Sequence, residues 1–144
     1  MRRTQVTDCR TLPFDLAAVH AAMVDFENYP KWWPAEFRLR VLQTTTILVG
    51  SRFEVRPRGG SFVCEVSQVI PEKEIQIQYE RLHRGTGIWT FERQGEGTRL
   101  CYQINLDPQG WLPRLLSNFM DFAGIQSRGM ERVFDGLEGW LRLK

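Results

Sequence analysis

The sequence predicts an α+β fold in which a curved antiparallel sheet of seven strands, two short helices and one long C-terminal helix enclose a hydrophobic cavity. Two patterns give this prediction. From residue 36 to residue 107 apolar residues recur at every second position, the period of a strand with one buried face. From residue 111 onwards they recur at every third or fourth position, the period of a helix. The terminal helix is the only predicted element large enough to cover the sheet.

The first elements are a strand over residues 3–10 and a helix that ends near Val24. Pro13 suits the first turn of this helix, where its missing N–H has no cost. Leu16, Val19 and Met23 recur at helical spacing and define its buried face. A second helical turn is expected over residues 26–29, before two prolines interrupt the chain.

Five turn signals divide the strand region into about six strands. They are Val49-Gly50, Arg58-Gly59-Gly60, Pro71-Glu72-Lys73, Gly85-Thr86-Gly87 and Gly95-Glu96-Gly97. The clearest strand covers residues 99–107, where Leu100, Tyr102, Ile104 and Leu106 alternate with polar residues and Cys101. Connections of hairpin length predict antiparallel neighbours.

The last helix contains four glycines, Gly124, Gly129, Gly136 and Gly139. Each weakens a helix by about 1 kcal/mol relative to alanine. They therefore indicate either a bend near the first two positions or a close approach of the helix to the sheet or to a ligand.

Composition limits the possible classes of protein. A chain of 144 residues has the size of one domain, so we expect a single domain over residues 1–144. A net charge of +2 does not indicate nucleic-acid binding. No apolar run reaches the length of a membrane span and the N-terminus lacks a signal-peptide pattern, so we expect a cytoplasmic protein. Cys9, Cys64 and Cys101 lack CxxC spacing and nearby histidines, and we expect them to be reduced and not to bind metal.

Three stretches resemble the START-like superfamily, also called SRPBCC. They are DFENYPKWWP at residues 25–34, GTRLCY at residues 97–102 and GWLP at residues 110–113. This superfamily includes the polyketide cyclase/dehydrase-like and coenzyme Q-binding-like proteins. It implies a helix-grip fold with a ligand cavity, whereas members of the superfamily range from carriers to cyclases and protein-partner modules.

The inward strand faces and the inward stripe of the helix supply the predicted ligand-binding residues. These are Trp33, Phe53, Ile77, Tyr79, Arg81, His83, Trp89, Tyr102, Phe119 and Gln126. No residue matches a known catalytic motif, so the catalytic residues stay unknown, and neither a metal nor a cofactor is expected.

Several of these residues have an alternative structural interpretation. Tyr29, Trp32 and Trp33 either gate the cavity or seal the helix against the sheet. Arg81 and His83 continue the inward face of their strand, where they would anchor a polar head group, or they form a solvated strand end. Gln126 bonds either a neighbouring group or the ligand.

The leading hypothesis for the function is binding or carriage of a hydrophobic small molecule, such as a lipid, a quinone or a polyketide. A polyketide cyclase or dehydratase that uses the same cavity is the first alternative. A module that binds a protein partner is the second. The sequence does not determine the oligomeric state.

Overall fold

Seven antiparallel strands form one sheet in the computed structural model, which describes residues 4–57, 61–80, 85–106 and 119–144. The strands are β1 (Thr4–Leu12), β2 (Arg40–Gln43), β3 (Arg52–Val55), β4 (Phe62–Ile70), β5 (Glu74–Tyr79), β6 (Gly85–Gln94) and β7 (Gly97–Leu106). Their order across the sheet is β1-β7-β6-β5-β4-β3-β2. The predicted α+β fold with seven antiparallel strands is confirmed. The predicted turn at residues 58–60 and the segment 107–118, which includes the first part of the predicted last helix, lie outside the described residues.

The helices are α1 (Leu16–Val24), α2 (Tyr29–Trp32) and α3 (Phe119–Arg142), with 3₁₀ turns at Phe26–Asn28 and Ala35–Phe37. The Asp15 carboxylate caps α1 by accepting a hydrogen bond of 2.8 Å from the Ala18 amide. The prediction that Pro13 lies in the first turn is therefore wrong. A carboxylate that accepts from the first turn is the stronger start signal, and it places the proline before the cap.

The core lies between the concave face of the sheet and the helices. Alternate residues of β5, β6 and β7 are buried, as the period of two predicted, and α3 contributes one apolar stripe to the same core. The buried members of that stripe are Met130, Val133, Phe134, Leu137 and Leu141.

Two glycines of α3 mark close approaches of the helix to other elements. A Cβ at Gly129 would lie 3.2 Å from the Phe37 ring, and a Cβ at Gly136 would collide with the backbone carbonyl of Trp32. The structure shows a close approach at these two glycines, but the partners are the turn at Ala35–Phe37 and α2, not the sheet or a ligand as predicted. Gly136 lets α2 pack directly against the helix backbone.

The predicted turn at Gly85-Thr86-Gly87 is wrong, because these residues are the first three of β6. Gly85 lies opposite Tyr79, and Gly87 lies opposite Ile77 on one side and Ile104 on the other. A Cβ at Gly87 would collide with the Tyr102 side chain. The glycine makes room for a ring and does not reverse the chain.

A disulfide joins Cys9 of β1 to Cys101 of β7, so the prediction that all three cysteines are reduced is wrong for this pair. The two residues are direct partners in the β1–β7 ladder, with 4.0 Å between their Cα atoms. They lie 92 residues apart in the chain, and sequence alone does not show that the first and last strands are neighbours. Cys64 is free and buried.

The described helices include none that is long and apolar enough to cross a membrane.

Candidate functional site

An aromatic cluster lies where α2 meets the concave face. The Trp33 ring stacks on Tyr29 at 5.6 Å between centroids, and Phe53 of β3 lies 5.7 Å from Tyr29. Trp32 is buried against α3, whereas Trp33 is half-buried. The indole N–H of each tryptophan is enclosed and has no acceptor among the described residues. Trp32 therefore packs between α2 and α3, and both tryptophans keep an indole N–H that no described residue accepts.

Tyr79 and Tyr102 form a polar pair on the apolar concave face. Their hydroxyl groups share a hydrogen bond, although the residues belong to β5 and β7. The Tyr102 ring spans the strand between them by crossing above Gly87 of β6. Two hydroxyls carry two protons, and their mutual hydrogen bond uses one of them. The second proton is available to another oxygen atom.

The Cys64 thiol lies beside this pair, opposite Tyr79 in the β4–β5 ladder. Burial, followed by the charge of Glu80, raises the pKa of Cys64. Burial also raises the pKa of Tyr79, and Tyr102 and Cys64 add to the shift. The pKa of Tyr102 is raised by burial and by Cys64, against a smaller lowering by the hydrogen bond from Tyr79. All three groups are protonated at neutral pH, so they are hydrogen-bond donors and not bases.

The other predicted ligand-binding residues lie in different surroundings. Trp89 is buried 4.5 Å from the Tyr102 ring, and Phe134 of α3 meets it edge-on at 6.2 Å. Ile77 is buried on β5, and Gln126 is half-buried on α3. The structure thus brings Tyr79, Tyr102 and Trp89 together, with Ile77 on the same face.

Three predicted site residues cannot be placed in this arrangement. Arg81 and His83 lie outside the described residues. Phe119 is the first residue of α3, and its side chain lies outside the described part of the chain. The anchoring of a polar head group by Arg81 and His83 therefore stays a prediction.

Two charged residues on the inward face of β1 were missed by sequence reasoning. The β1–β7 register places Asp8 opposite Tyr102 and Arg10 opposite Leu100, both of which are buried core residues. Arg10 binds Asp135 at 2.6 Å and Glu138 at 3.3 Å, and its guanidinium lies 5.3 Å from the centre of the Phe134 ring. The signal was present, because both residues fall between Val6 and Leu12 in the alternating pattern of this strand.

His20 is the only histidine in the described part of the chain. It lies edge-on to Phe91 at 5.4 Å. Burial lowers its pKa, and the charge of Glu72 opposes part of that shift. Its Nε2 atom has no hydrogen-bond partner among the described residues. Because the ring packs between α1 and β6, away from the tyrosine pair, we assign it a structural role.

In the described ranges no three His, Cys, Asp or Glu residues are grouped so that they could hold a metal ion. The described site consists of aromatic and aliphatic surface with protonated hydroxyl, thiol and indole groups. Such a surface can bury an apolar molecule and donate hydrogen bonds to its oxygen atoms.

Comparison with known proteins assigns the family. Residues 3–139 match the family model described as polyketide cyclase / dehydrase and lipid transport. None of the curated proteins that were compared matches the chain.

Solved structures share the fold. A START superfamily protein from Mycobacterium smegmatis is 17% identical, with a TM-score of 0.74 over 96% of this chain and 97% of that one. Protein MLL2253 from Mesorhizobium loti is 19% identical, with a TM-score of 0.69 over 97% of this chain and 98% of that one. The di-domain ARO/CYC StfQ from the steffimycin biosynthetic pathway is 13% identical, with a TM-score of 0.74 over 97% of this chain and 51% of that one. The family match over nearly the whole chain confirms the START-like resemblance, and the chain belongs to the polyketide cyclase/dehydrase and lipid transport family.

Proposed function

We propose that the protein binds one hydrophobic small molecule in a cavity between the concave face of the sheet and α3, and that it carries this molecule. The observation behind the proposal is the Tyr79–Tyr102 hydroxyl pair, which is a polar point surrounded by buried apolar residues. Gly85 and Gly87 leave β6 without inward side chains beside this pair. A ligand oxygen at this point would accept the proton that the pair does not use.

The apolar surface would supply most of the affinity. Burial of about 300 Å² of ligand surface contributes roughly 7 kcal/mol at about 25 cal/mol per Å², before the costs of association are subtracted. The hydroxyl pair would contribute orientation and a preference for a carbonyl oxygen. Quinones and polyketides carry such an oxygen on an apolar frame, and lipids carry one at an ester or acid group.

Fluorenone and fluorene test this proposal, because they differ only in a carbonyl group at one ring position. We expect the wild type to bind fluorenone about tenfold more tightly than fluorene, because roughly one hydrogen bond is gained. Isothermal titration calorimetry measures both affinities. The double substitution Tyr79→Phe and Tyr102→Phe should abolish this preference while fluorene binding is retained, since only the two hydroxyls are removed.

Tyr29→Phe is the matched control, and it alters the third of the three tyrosines in the chain. The Tyr29 hydroxyl donates to the Met23 carbonyl, so its loss should lower stability and leave the preference for fluorenone unchanged. The proposal is wrong if neither probe binds. If the preference for fluorenone survives the double substitution, the hydroxyl pair is not part of the binding site.

Arg81 gives a separate prediction, which depends on the sequence pattern. If the alternation of β5 continues past Tyr79, Arg81 faces the cavity and, with His83, binds an anionic or strongly polarised head group. Arg81→Ala should then weaken decanoate binding by about 1.5–3 kcal/mol and leave 1-decanol binding and stability nearly unchanged. Arg99→Ala is the control, because Arg99 is exposed on β7. Equal decanoate affinity in wild type and Arg81→Ala would contradict this role.

Catalysis of polyketide cyclisation or dehydration is the second candidate function. The family description and the ARO/CYC protein among the solved neighbours support it. The specific observation in its favour is that the protonated tyrosine pair could polarise a substrate carbonyl. Turnover of a linear polyketide that is lost in the Tyr79→Phe, Tyr102→Phe variant would establish this function in place of simple carriage.

A further inference from the structure

Asp8 occupies an unusual position on the concave face. It lies in the middle of β1, opposite Tyr102 in the β1–β7 ladder. On the far side of Tyr102, Trp89 of β6 is the next residue across the sheet. A carboxylate therefore stands in the same row of inward residues as two aromatic rings of the candidate site.

One oxygen of this carboxylate has no partner in the part of the chain that the structure describes. Asp8 Oδ2 is enclosed and accepts no hydrogen bond there. The nearest cation along the same face of β1 is Arg10, which binds the acidic side chains of α3 and the Glu131 carbonyl. Buried carboxylate oxygens normally accept a hydrogen bond, so the lack of a donor for Oδ2 needs an explanation.

We infer that this donor is a hydroxyl group of the bound molecule, so that Asp8 selects a hydroxylated aromatic ligand. The inference rests on the proposed binding function and adds the chemical class of the ligand. An aromatic frame suits the Trp89 and Tyr102 rings, which lie 4.5 Å apart between centroids. A neutral hydroxyl suits Oδ2 better than an ammonium group does, because the next residues in the row, Tyr102 and Trp89, are buried and a cation placed against them would lose its hydration.

The ligand would then meet two different polar points. Asp8 accepts a hydrogen bond from a hydroxyl, and the Tyr79–Tyr102 pair donates one to a carbonyl or ether oxygen. Asp8 lies on β1, and the tyrosine pair lies above Gly87 of β6. These two strands are two positions apart in the sheet, so their axes are separated by roughly 10 Å. A fused aromatic molecule with a hydroxyl on one edge and a carbonyl on the other matches both points.

The test compares 2-naphthol with 2-methoxynaphthalene, because methylation removes the donor and keeps the ring and the oxygen. Isothermal titration calorimetry should show 2-naphthol binding the wild type about tenfold more tightly, since the hydrogen bond has a charged acceptor. In Asp8→Asn the ratio should fall to about one, while 2-methoxynaphthalene binds as before. Asp135→Asn is the matched control, because Asp135 is exposed and bound to Arg10, and it should keep the ratio.

Other outcomes would contradict the role of Asp8, the choice of a hydroxyl group or the proposed function. Equal wild-type affinities for the two naphthalenes overturn the role of Asp8 and leave the proposed function intact, and this measurement needs no variant. A ratio that persists in Asp8→Asn overturns the role as well. Tighter binding of 2-(aminomethyl)naphthalene than of 2-naphthol overturns the choice of a hydroxyl. If neither naphthalene nor fluorenone binds, the proposed function itself is wrong.

Thermal unfolding of Asp8→Asn separates ligand selection from a purely structural role. If Asp8 serves the ligand, the amide variant should unfold at the same temperature or a higher one, because an enclosed carboxylate oxygen without a partner among the described residues has been removed. A loss of stability together with an unchanged probe ratio would show that Asp8 is structural.

Discussion

Gly136→Ala is expected to lower the free energy of unfolding by about 2–3 kcal/mol, although alanine is the better helix former by about 1 kcal/mol. The added methyl group would collide with the carbonyl oxygen of Trp32, which is a backbone atom and cannot rotate away. The collision would force α2 away from α3. Urea denaturation, monitored by tryptophan fluorescence, measures the change in the free energy of unfolding.

Gly139→Ala is the matched control on the same helix. A methyl group at position 139 meets no atom within 4 Å, so only helix propensity changes. This variant should be more stable than the wild type by up to about 1 kcal/mol. If both alanine variants were stabilised equally, the close packing of α2 on α3 would be wrong.

Loss of the Cys9–Cys101 disulfide should have an effect of similar size. Replacing both cysteines by serine is expected to lower the free energy of unfolding by about 2–4 kcal/mol, because the bond closes a loop with a sequence separation of 92 residues in the unfolded chain. Urea denaturation with and without a thiol reductant measures the effect. The reductant should destabilise the wild type and leave the double variant unchanged.

The same bond tests the cytoplasmic location expected from the sequence. Thiols of cytoplasmic proteins are normally kept reduced. Alkylation in cells lysed directly into denaturant, which exposes the buried Cys64, followed by mass spectrometry, should label only this free cysteine if the disulfide is formed in the cell. Labelling of all three cysteines would place the protein in a reducing compartment and show that the disulfide is absent there.

The sequence determined the type and the order of the elements. The period of two along β7 predicted which of its residues are buried, and the helical period predicted the apolar stripe of α3. These patterns are local, because side-chain direction follows from the geometry of successive residues in one element. Much of the concave face could therefore be predicted, including the inward position of Ile77 and Trp89.

Which of these residues contact one another depends on how distant strands pair in the folded chain. Tyr79 and Tyr102 were both predicted as site residues, yet their hydrogen bond depends on strand order, on register and on the absence of a side chain at Gly87. From the sequence, that glycine was predicted to be part of a turn. A glycine that makes room for a ring and a glycine that reverses the chain cannot be distinguished in sequence. Cys9 with Cys101 and Asp8 with Tyr102 are neighbours for a similar reason, because the first strand pairs with the last. Periodicity carries no information about pairing between distant strands, so these contacts had to come from the folded chain.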